Sequence, residues 1–221
     1  MAEHGWLGPI EWAAKARPRP GESVCGDRMI AVDVDGTAAL IGVLDGLGHG
    51  TEAAEAASCG VDVLRAARAD PLDVLVRRCH RALSGTRGVA MTLARIDFRT
   101  DTLSWAGIGN VAADLVAKHP AGVEVRSSAR LAGGIVGYGI PEALTPQEVP
   151  IRPGDLLDCQ IRGQDVGGQR SRCEHLVGVE HGVPTGEVNN TLHVIGGAGA
   201  HSCHEYCDVA SQRWGRLGPS R

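Results

Sequence analysis

Aromatic side chains are scarce in this sequence of 221 residues, and long apolar runs are missing. Aromatic residues make up 3% of the chain, whereas glycine occurs 31 times and hydrophobic residues reach 43%, a composition typical of an alanine- and glycine-rich globular enzyme. No apolar stretch approaches the roughly 18 to 20 residues that a membrane span requires. The first residues also lack the basic and apolar regions of a signal peptide, so we expect a cytoplasmic protein without a membrane partner.

An excess of charge and a disulfide framework are missing as well. The formal net charge is −4, which provides no basic surplus for nucleic acid, so we expect no nucleic-acid partner. The chain has seven cysteines, and an odd number without an export signal favours reduced thiols.

The strand and helix patterns fall into separate blocks along the chain. Two β-rich runs around Asp35-Gly36 predict a hairpin, because Asp-Gly is a favoured hairpin turn. A helix is then predicted from an N-cap at Thr51 to about Arg68, and a second helix begins at an Asp70 N-cap. The second helix carries an apolar stripe formed by Leu72, Leu75, Val76, Cys79 and Leu83.

Strand patterns return after the two helices. Residues 89–109 and 111–128 predict two further hairpins, and residues 148–157 predict a strand, a tight turn and the start of another strand. Strand blocks on both sides of a helix pair predict an α+β fold in which helices pack on sheets.

Two aspartates flank the first hairpin and are the candidate metal ligands. If the loop has three residues centred on Gly36, Asp27 lies directly opposite Asp45; with a two-residue loop the pair is offset by one position. Facing carboxylates destabilise a ladder, and a divalent cation between them would remove that cost. Mg²⁺ and Mn²⁺ accept such oxygen ligands, to which the backbone carbonyl of Gly46 could be added. The simpler alternative is an ordinary acid-glycine turn.

The segment that follows Asp45 reads LDGLGHG and is rich in glycine. Glycines allow the backbone to approach a metal ion or a phosphate closely before the Thr51 helix begins. Two metal ions a few ångströms apart would lower the pKa of a bridging water and hold a phosphate for in-line attack.

Several blocks together resemble the SpoIIE/RsbX-like type of PPM serine/threonine phosphatase. They read GESVCGDRMIAV, ALIGVLDGLGHGTEAAEAA, LSGTRGVAMTLARID, LSWAGIGNVAADLV, GGIVGYGI and VPIRPGDLL, and the resemblance covers roughly residues 9–157. It implies an αββα sandwich with a two-metal Mn²⁺ or Mg²⁺ cluster at one edge. It also implies dephosphorylation of phosphoserine or phosphothreonine on a bacterial regulatory protein, such as a STAS-type, stressosome or anti-sigma pathway component.

The resemblance also assigns residues. Asp27 and Asp45 match the first two metal-binding aspartates of the family, and Gly46 matches its carbonyl ligand. Metal-bound water is the implied nucleophile, so no side chain is assigned as catalytic. His49 and Arg87 are candidates to face the phosphate; the alternatives are a role in loop architecture for His49 and a solvated arginine at position 87.

The family pattern breaks after Leu157. It calls for an apolar strand ending in Asp-Gly and for later metal aspartates, whereas the chain continues DCQIRGQDVGGQRSRC. We therefore assign no third or fourth metal aspartate, and the cluster is incomplete in this interpretation. We interpret residues 1–157 as a C-terminally truncated phosphatase domain and residues 158–177 as an irregular junction that a frameshift, a deletion or a fusion would explain.

Residues 178–221 resemble a single kelch repeat, with β-rich patterns around Gly196-Gly197, Tyr206 and Trp214. A propeller needs several such blades. The cysteines and histidines near residues 201–207 also suggest a zinc site, although their spacing lacks clean CxxC pairs, and accidental clustering is the competing interpretation.

Three functional hypotheses follow from these patterns. The first is a metal-dependent phosphatase with reduced metal affinity, and the second is a catalytically impaired relic that only binds its partner. The third is a kelch-type interaction module, which a single blade argues against.

Overall fold

The computed structural model describes residues 2–16, 18, 21–119 and 122–162. The strands are β1 (Ala2–Leu7), β2 (Ile10–Lys15), β3 (Asp27–Val34), β4 (Ala38–Gly46), β5 (Val89–Asp97), β6 (Thr102–Ile108), β7 (Val111–His119), β8 (Gly122–Ser128), β9 (Leu131–Ala132), β10 (Gln147–Pro150) and β11 (Asp155–Ile161), and the helices are α1 (Gly50–Ala66) and α2 (Leu72–Ala82). Neither helix is long and apolar enough to cross a membrane.

Two sheets form the body of the described residues. The larger sheet has six strands in the order β10-β6-β5-β4-β3, and β9 pairs with β6 in parallel, so this sheet is mixed. The smaller sheet has three strands in the order β11-β7-β8, and β1 and β2 form a separate hairpin.

Strand β4 is buried on both faces and divides the hydrophobic core in two. Leu40 and Leu44 point towards the helices, where they pack with α1 and α2. Ile41 and Val43 point to the other face, where they pack with β7 and β11 of the smaller sheet. The described residues therefore form three layers, helix pair, large sheet and small sheet, which is the first part of the αββα order that the resemblance implies.

The predicted hairpins and the helical stripe are confirmed. Strands β3 and β4 pair antiparallel around a three-residue loop, with Val34 opposite Ala38. Asp35 and Gly36 both have positive φ, and the Gly36 amide donates to Asp33 Oδ2 at 2.8 Å. Strands β5 to β8 form the two later hairpins. The four stripe residues within α2 are buried, and so is the fifth, Leu83, at the C-cap of the helix.

Two predicted helix caps are wrong. Helix α1 begins at Gly50 with His49 as its N-cap residue, so Thr51 already lies within the helix. Helix α2 begins at Leu72 with Pro71 in the N-cap position, one residue after the predicted Asp70. Neither N-cap residue makes a side-chain hydrogen bond, so the stability of these helices comes mainly from the packing of their buried faces.

The expected loss of strand structure after Leu157 is also wrong. Strand β11 continues to Ile161 and pairs with β7 along its whole length. Leu157 and Cys159 are buried, while Asp158 and Gln160 point to the other face. The period of two is therefore present, although the strand is not continuously apolar. The remaining interpretations of the tail, including the kelch repeat and the Cys/His cluster, concern residues outside those described.

A second pair of aspartates lies across the small sheet. Asp158 on β11 is directly opposite Asp114 on β7, and like charges in this position repel each other. Burial, and then the Asp114 charge, raise the pKa of Asp158 to about 6, although a hydrogen bond from Gln160 opposes the shift. The folded protein therefore holds a proton on Asp158 more tightly than the unfolded chain does.

We predict that Asp158→Asn stabilises the protein above pH 6. An unfolded aspartate titrates near 3.9, so the stability of the wild type falls as the pH rises from about 4 to about 6, and the variant escapes this loss. Thermal unfolding of both proteins should show a gain on the order of 2 kcal/mol at pH 7.5 and little difference at pH 4. Glu55→Gln removes an exposed carboxylate and is the control; an equal gain at both pH values would contradict the explanation.

Candidate metal and phosphate site

The two candidate metal ligands face each other at the end of the large sheet. Asp27 is the first residue of β3, and its Cα is paired with that of Asp45 near the end of β4. Asp27 is only 6% exposed and Asp45 is half-buried. Side chains directly opposite in a ladder have Cβ atoms about 4.5–5.5 Å apart, so both carboxylates can reach one cation. Of the two loop lengths that the sequence left open, the structure has the three-residue loop, which places the two aspartates directly opposite each other.

Each carboxylate receives a neutral hydrogen-bond donor. The thiol of Cys25 donates to Asp27 Oδ2 over 3.7 Å, and the side-chain amide of Asn110 donates to Asp45 Oδ2 over 3.0 Å. Asn110 lies between β6 and β7, so it reaches Asp45 from the start of the small sheet. The pair therefore lies at one end of the space between the two sheets.

Gly46 has no room for a side chain. A Cβ atom at this position would lie 2.1 Å from the carbonyl oxygen of Ala53 in α1 and 2.8 Å from that of Gly26. The Gly46 amide also donates to the Gly26 carbonyl at 3.3 Å. Glycine at position 46 is therefore what allows the end of β4 to pass between the start of β3 and α1.

Arg28 fixes the chain just before and at Asp27. Its Nη1 donates to the carbonyl oxygens of Cys25 and Asp27 at 2.7 and 2.8 Å, and its Nε donates to Ser58 Oγ of α1 at 3.2 Å. The backbone that carries Asp27 is thereby tied to the helix. Sequence reasoning missed this role, since an arginine beside an aspartate gives no signal of where its guanidinium points.

Of the two phosphate-facing candidates, His49 lies on the glycine loop and Arg87 lies between α2 and β5, and each contacts a carboxylate. His49 Nδ1 is 2.5 Å from Glu22 Oε1. Arg87 pairs with Glu52 of α1, and its guanidinium fills the space beside Gly48, where a Cβ would lie 2.6 Å from Nη1. Both side chains are about half exposed. Exposed ion pairs contribute only about 0–1 kcal/mol, so a phosphate could replace either carboxylate at small cost.

The residues present fit one divalent cation better than two. Mg²⁺ commonly binds through one or two carboxylates and keeps several waters, a requirement that Asp27, Asp45 and the Gly46 carbonyl can meet. Within residues 2–162, leaving aside the few that are not described, no group of three or more His, Cys, Asp or Glu side chains could hold a metal ion. A second cation would need further ligands.

The end of β11 reaches this same site without supplying an acid. The Arg162 amide donates to the Asn110 carbonyl at 2.9 Å, and the Asn110 side chain donates back to the Arg162 carbonyl at 3.0 Å. The strand that the family pattern requires is therefore present. In the sequence it is followed by Arg162-Gly163 instead of the expected Asp-Gly.

Solved phosphatase structures have a similar fold. RsbX in complex with magnesium superposes with a TM-score of 0.65 at 18% identity, covering 81% of this chain and 98% of RsbX. The PP2C phosphatase domain of the cell-fate determinant SpoIIE from Bacillus subtilis gives a TM-score of 0.63 at 13% identity over 81% of this chain and 70% of that one. These similarities show that the chain has a PPM phosphatase-like fold.

The family follows from the sequence itself. The family model of Stage II sporulation protein E (SpoIIE) matches residues 35–159, more than half of the chain, so the chain belongs to the SpoIIE family. It is 27% identical over 93 residues to the phosphoserine phosphatase RsbX of Bacillus subtilis, a match that covers 42% of this chain. The chain spans about half the length of this curated relative, 46%.

A structure from the bacterial stressosome, described as a modular system adapted to control secondary messenger signalling, is also similar. Its TM-score is 0.65 at 25% identity, and the match covers 77% of this chain and 97% of that one.

We predict that Gly46→Ala is strongly destabilising. Its methyl group would collide with backbone oxygens of two elements, and overpacking of this kind costs about 1–3 kcal/mol or more. Urea unfolding measures the change. Gly133→Ala is the matched control, because a Cβ at position 133 meets nothing within 4 Å. A Gly46→Ala variant as stable as Gly133→Ala would contradict the close approach.

Proposed function

We propose that this chain is a divalent-cation-dependent protein phosphatase that hydrolyses phosphoserine or phosphothreonine. The observation that carries the proposal is the opposition of Asp27 and Asp45 beside a glycine loop, in a chain of the SpoIIE family. A cation bound there would supply an activated water and positive charge at the phosphate. The named activity of RsbX, a phosphoserine phosphatase, supports this choice of substrate.

The chain's own residues take three roles in this proposal. Asp27, Asp45 and the Gly46 carbonyl hold Mg²⁺ or Mn²⁺. Arg87 and His49 bind phosphate oxygens in exchange for Glu52 and Glu22; Arg87 suits this role because its guanidinium can donate two parallel hydrogen bonds. The bound cation would relieve the repulsion between the two facing carboxylates.

A cysteine nucleophile does not fit the two buried thiols. Burial raises the pKa of the Cys79 thiol to about 12 and also raises that of Cys159. Only a thiolate attacks efficiently, and neither thiol ionises near neutral pH. These two thiols are therefore poor candidates for a nucleophile.

The substrate we propose is a phosphorylated regulatory protein of the stressosome or STAS type, acting in an anti-sigma pathway. The similarity to the stressosome structure and to RsbX supports this class of partner. The second candidate is a partner-binding domain without turnover. It is favoured by the lack, among the described residues, of a group of three or more His, Cys, Asp or Glu side chains that could hold a metal ion.

The first test is hydrolysis of a phosphoserine peptide by the full chain with and without Mn²⁺. We expect activity that EDTA abolishes and added Mn²⁺ restores. Asp45→Ala should lower the rate by more than the roughly 10- to 100-fold that loss of a hydrogen bond to a metal ligand costs. Asp62→Ala removes an exposed carboxylate of α1 and should leave the rate unchanged.

The outcomes separate the two candidates. Activity that is insensitive to Asp45→Ala would show that the site is assigned to the wrong residues. A folded wild type that binds a phosphorylated STAS protein but never hydrolyses it would replace the phosphatase by the partner-binding domain.

A second prediction concerns Arg162. Its backbone is tied to Asn110, which contacts Asp45, so a carboxylate at position 162 would join the same site. We expect Arg162→Asp to bind Mn²⁺ at least about tenfold more tightly, since it adds an oxygen ligand and reverses a charge. Arg152→Asp makes the same charge change at the other end of β11, about 20 Å away, and is the control. Equal affinities of the two variants would contradict the prediction.

A further inference from the structure

Asn110 makes an unusual set of contacts for a residue in a strand connection. The two hydrogens of its side-chain amide serve two acceptors, Asp45 Oδ2 and the Arg162 carbonyl, both at 3.0 Å. Its own carbonyl accepts the Arg162 amide at 2.9 Å. One residue therefore joins a candidate metal ligand on the large sheet to the end of a strand in the small sheet.

The backbone around Asn110 is held firmly in place. The preceding Gly109 has φ +90, and a Cβ there would lie 2.6 Å from the Ala90 Cβ. The Gly109 amide donates to the Ala132 carbonyl at 3.0 Å. On the other side, the buried hydroxyl of Thr92 donates to the Val111 carbonyl at 2.5 Å. The amide of Asn110 is thus presented to Asp45 from a fixed position.

The chemistry of an amide suits a residue that orients a metal ligand. A carboxylate that must coordinate a cation needs a defined direction, and a hydrogen bond to one oxygen provides it. A lysine or arginine would also orient Asp45, but its charge would compete with the cation. The amide is neutral and has two hydrogens to donate, so it fixes the carboxylate without opposing the metal.

We propose that Asn110 is a positioning residue for cation binding: it orients the Asp45 carboxylate and couples it to the end of β11. The inference rests on the proposed function, because it takes Asp45 as a ligand. It goes beyond that function by placing a determinant of cation affinity outside the ligand set, on the second sheet.

The test is a titration with Mn²⁺, followed by the EPR signal of the free ion. Asn110→Ala should raise the dissociation constant by about 10- to 100-fold, the usual effect of removing the hydrogen-bond partner of a metal ligand. The main-chain bond from Arg162 survives this change, so the strand pairing should persist. The thermal midpoint without metal reports on the fold independently.

Thr92→Val is the matched control at the same corner. It removes a buried hydrogen bond to the start of β7 but no contact with Asp45. A purely structural effect would lower its thermal midpoint and leave the Mn²⁺ dissociation constant within about twofold. Should Asn110→Ala not fold, Asn110→Ser, which retains a polar side chain too short to reach Asp45, takes its place with the same expectation.

A double-variant cycle decides whether Asn110 acts through Asp45. In an Asp45→Asn background, Asn110→Ala should weaken Mn²⁺ binding little further, because coupled residues are not additive. Unchanged binding by a folded Asn110→Ala would overturn the inference alone, provided that Asp45→Ala loses binding. Unchanged binding by Asp45→Ala would overturn the proposed site as well.

Discussion

The repulsion between Asp27 and Asp45 is the constraint on which the candidate site depends. Antiparallel pairing around a three-residue loop places them on the same rung, and neither can move away without shifting the register of β3 against β4. That register is fixed by apolar residues buried on both faces of β4, because a slip by one residue would exchange the two faces. The core thus holds the two carboxyl groups on one rung, and the proposed cation would relieve the repulsion between their charged forms.

The glycines near this pair are required for close packing, whatever their role in the chemistry. Gly46 lets β4 run directly against Ala53 of α1, and Gly48 leaves a space that the Arg87 guanidinium occupies. As a result, α1, the end of β4 and the glycine loop pack closely together beside the two carboxylates. A site assembled from such short distances depends on the sandwich being formed, so cation binding and folding should be coupled.

The sequence predicted the local part of this site and missed the part that tertiary structure supplies. The opposition of Asp27 and Asp45 follows from counting residues on either side of Gly36, and the stripe of α2 follows from its period. Strand β1 gave no such signal, since none of the side chains at residues 3–7 is fully buried and Trp6 is 63% exposed. The contact between Asn110 and Asp45 joins residues 65 positions apart, and only the packing of two sheets brings them together.

The continuation of β11 shows a different kind of failure. Its alternation of Leu157, Cys159 and Ile161 was visible in the sequence, but Asp158 and Gln160 between them concealed a strand from a search for a continuous apolar run. The strand matters because it ends beside Asn110. Arg162 follows this strand where the family pattern has an aspartate. It leaves the strand in place but brings a positive charge instead of a negative one. We therefore infer that the fold and the proposed cation affinity can change independently at this position.

The two facing aspartate pairs show how the surroundings decide the response to like charge. Asp114 and Asp158 meet within a ladder, and burial raises the pKa of Asp158 to about 6, so a proton relieves part of their repulsion below that pH. Asp27 and Asp45 meet where two strands end, with neutral donors from Cys25 and Asn110 that hold the carboxylates in place. Two carboxylates held in this way beside a backbone carbonyl provide the oxygen ligands that a hard divalent cation prefers. The same repulsion is therefore a pH-dependent cost in the small sheet and the basis of the proposed metal site in the large one.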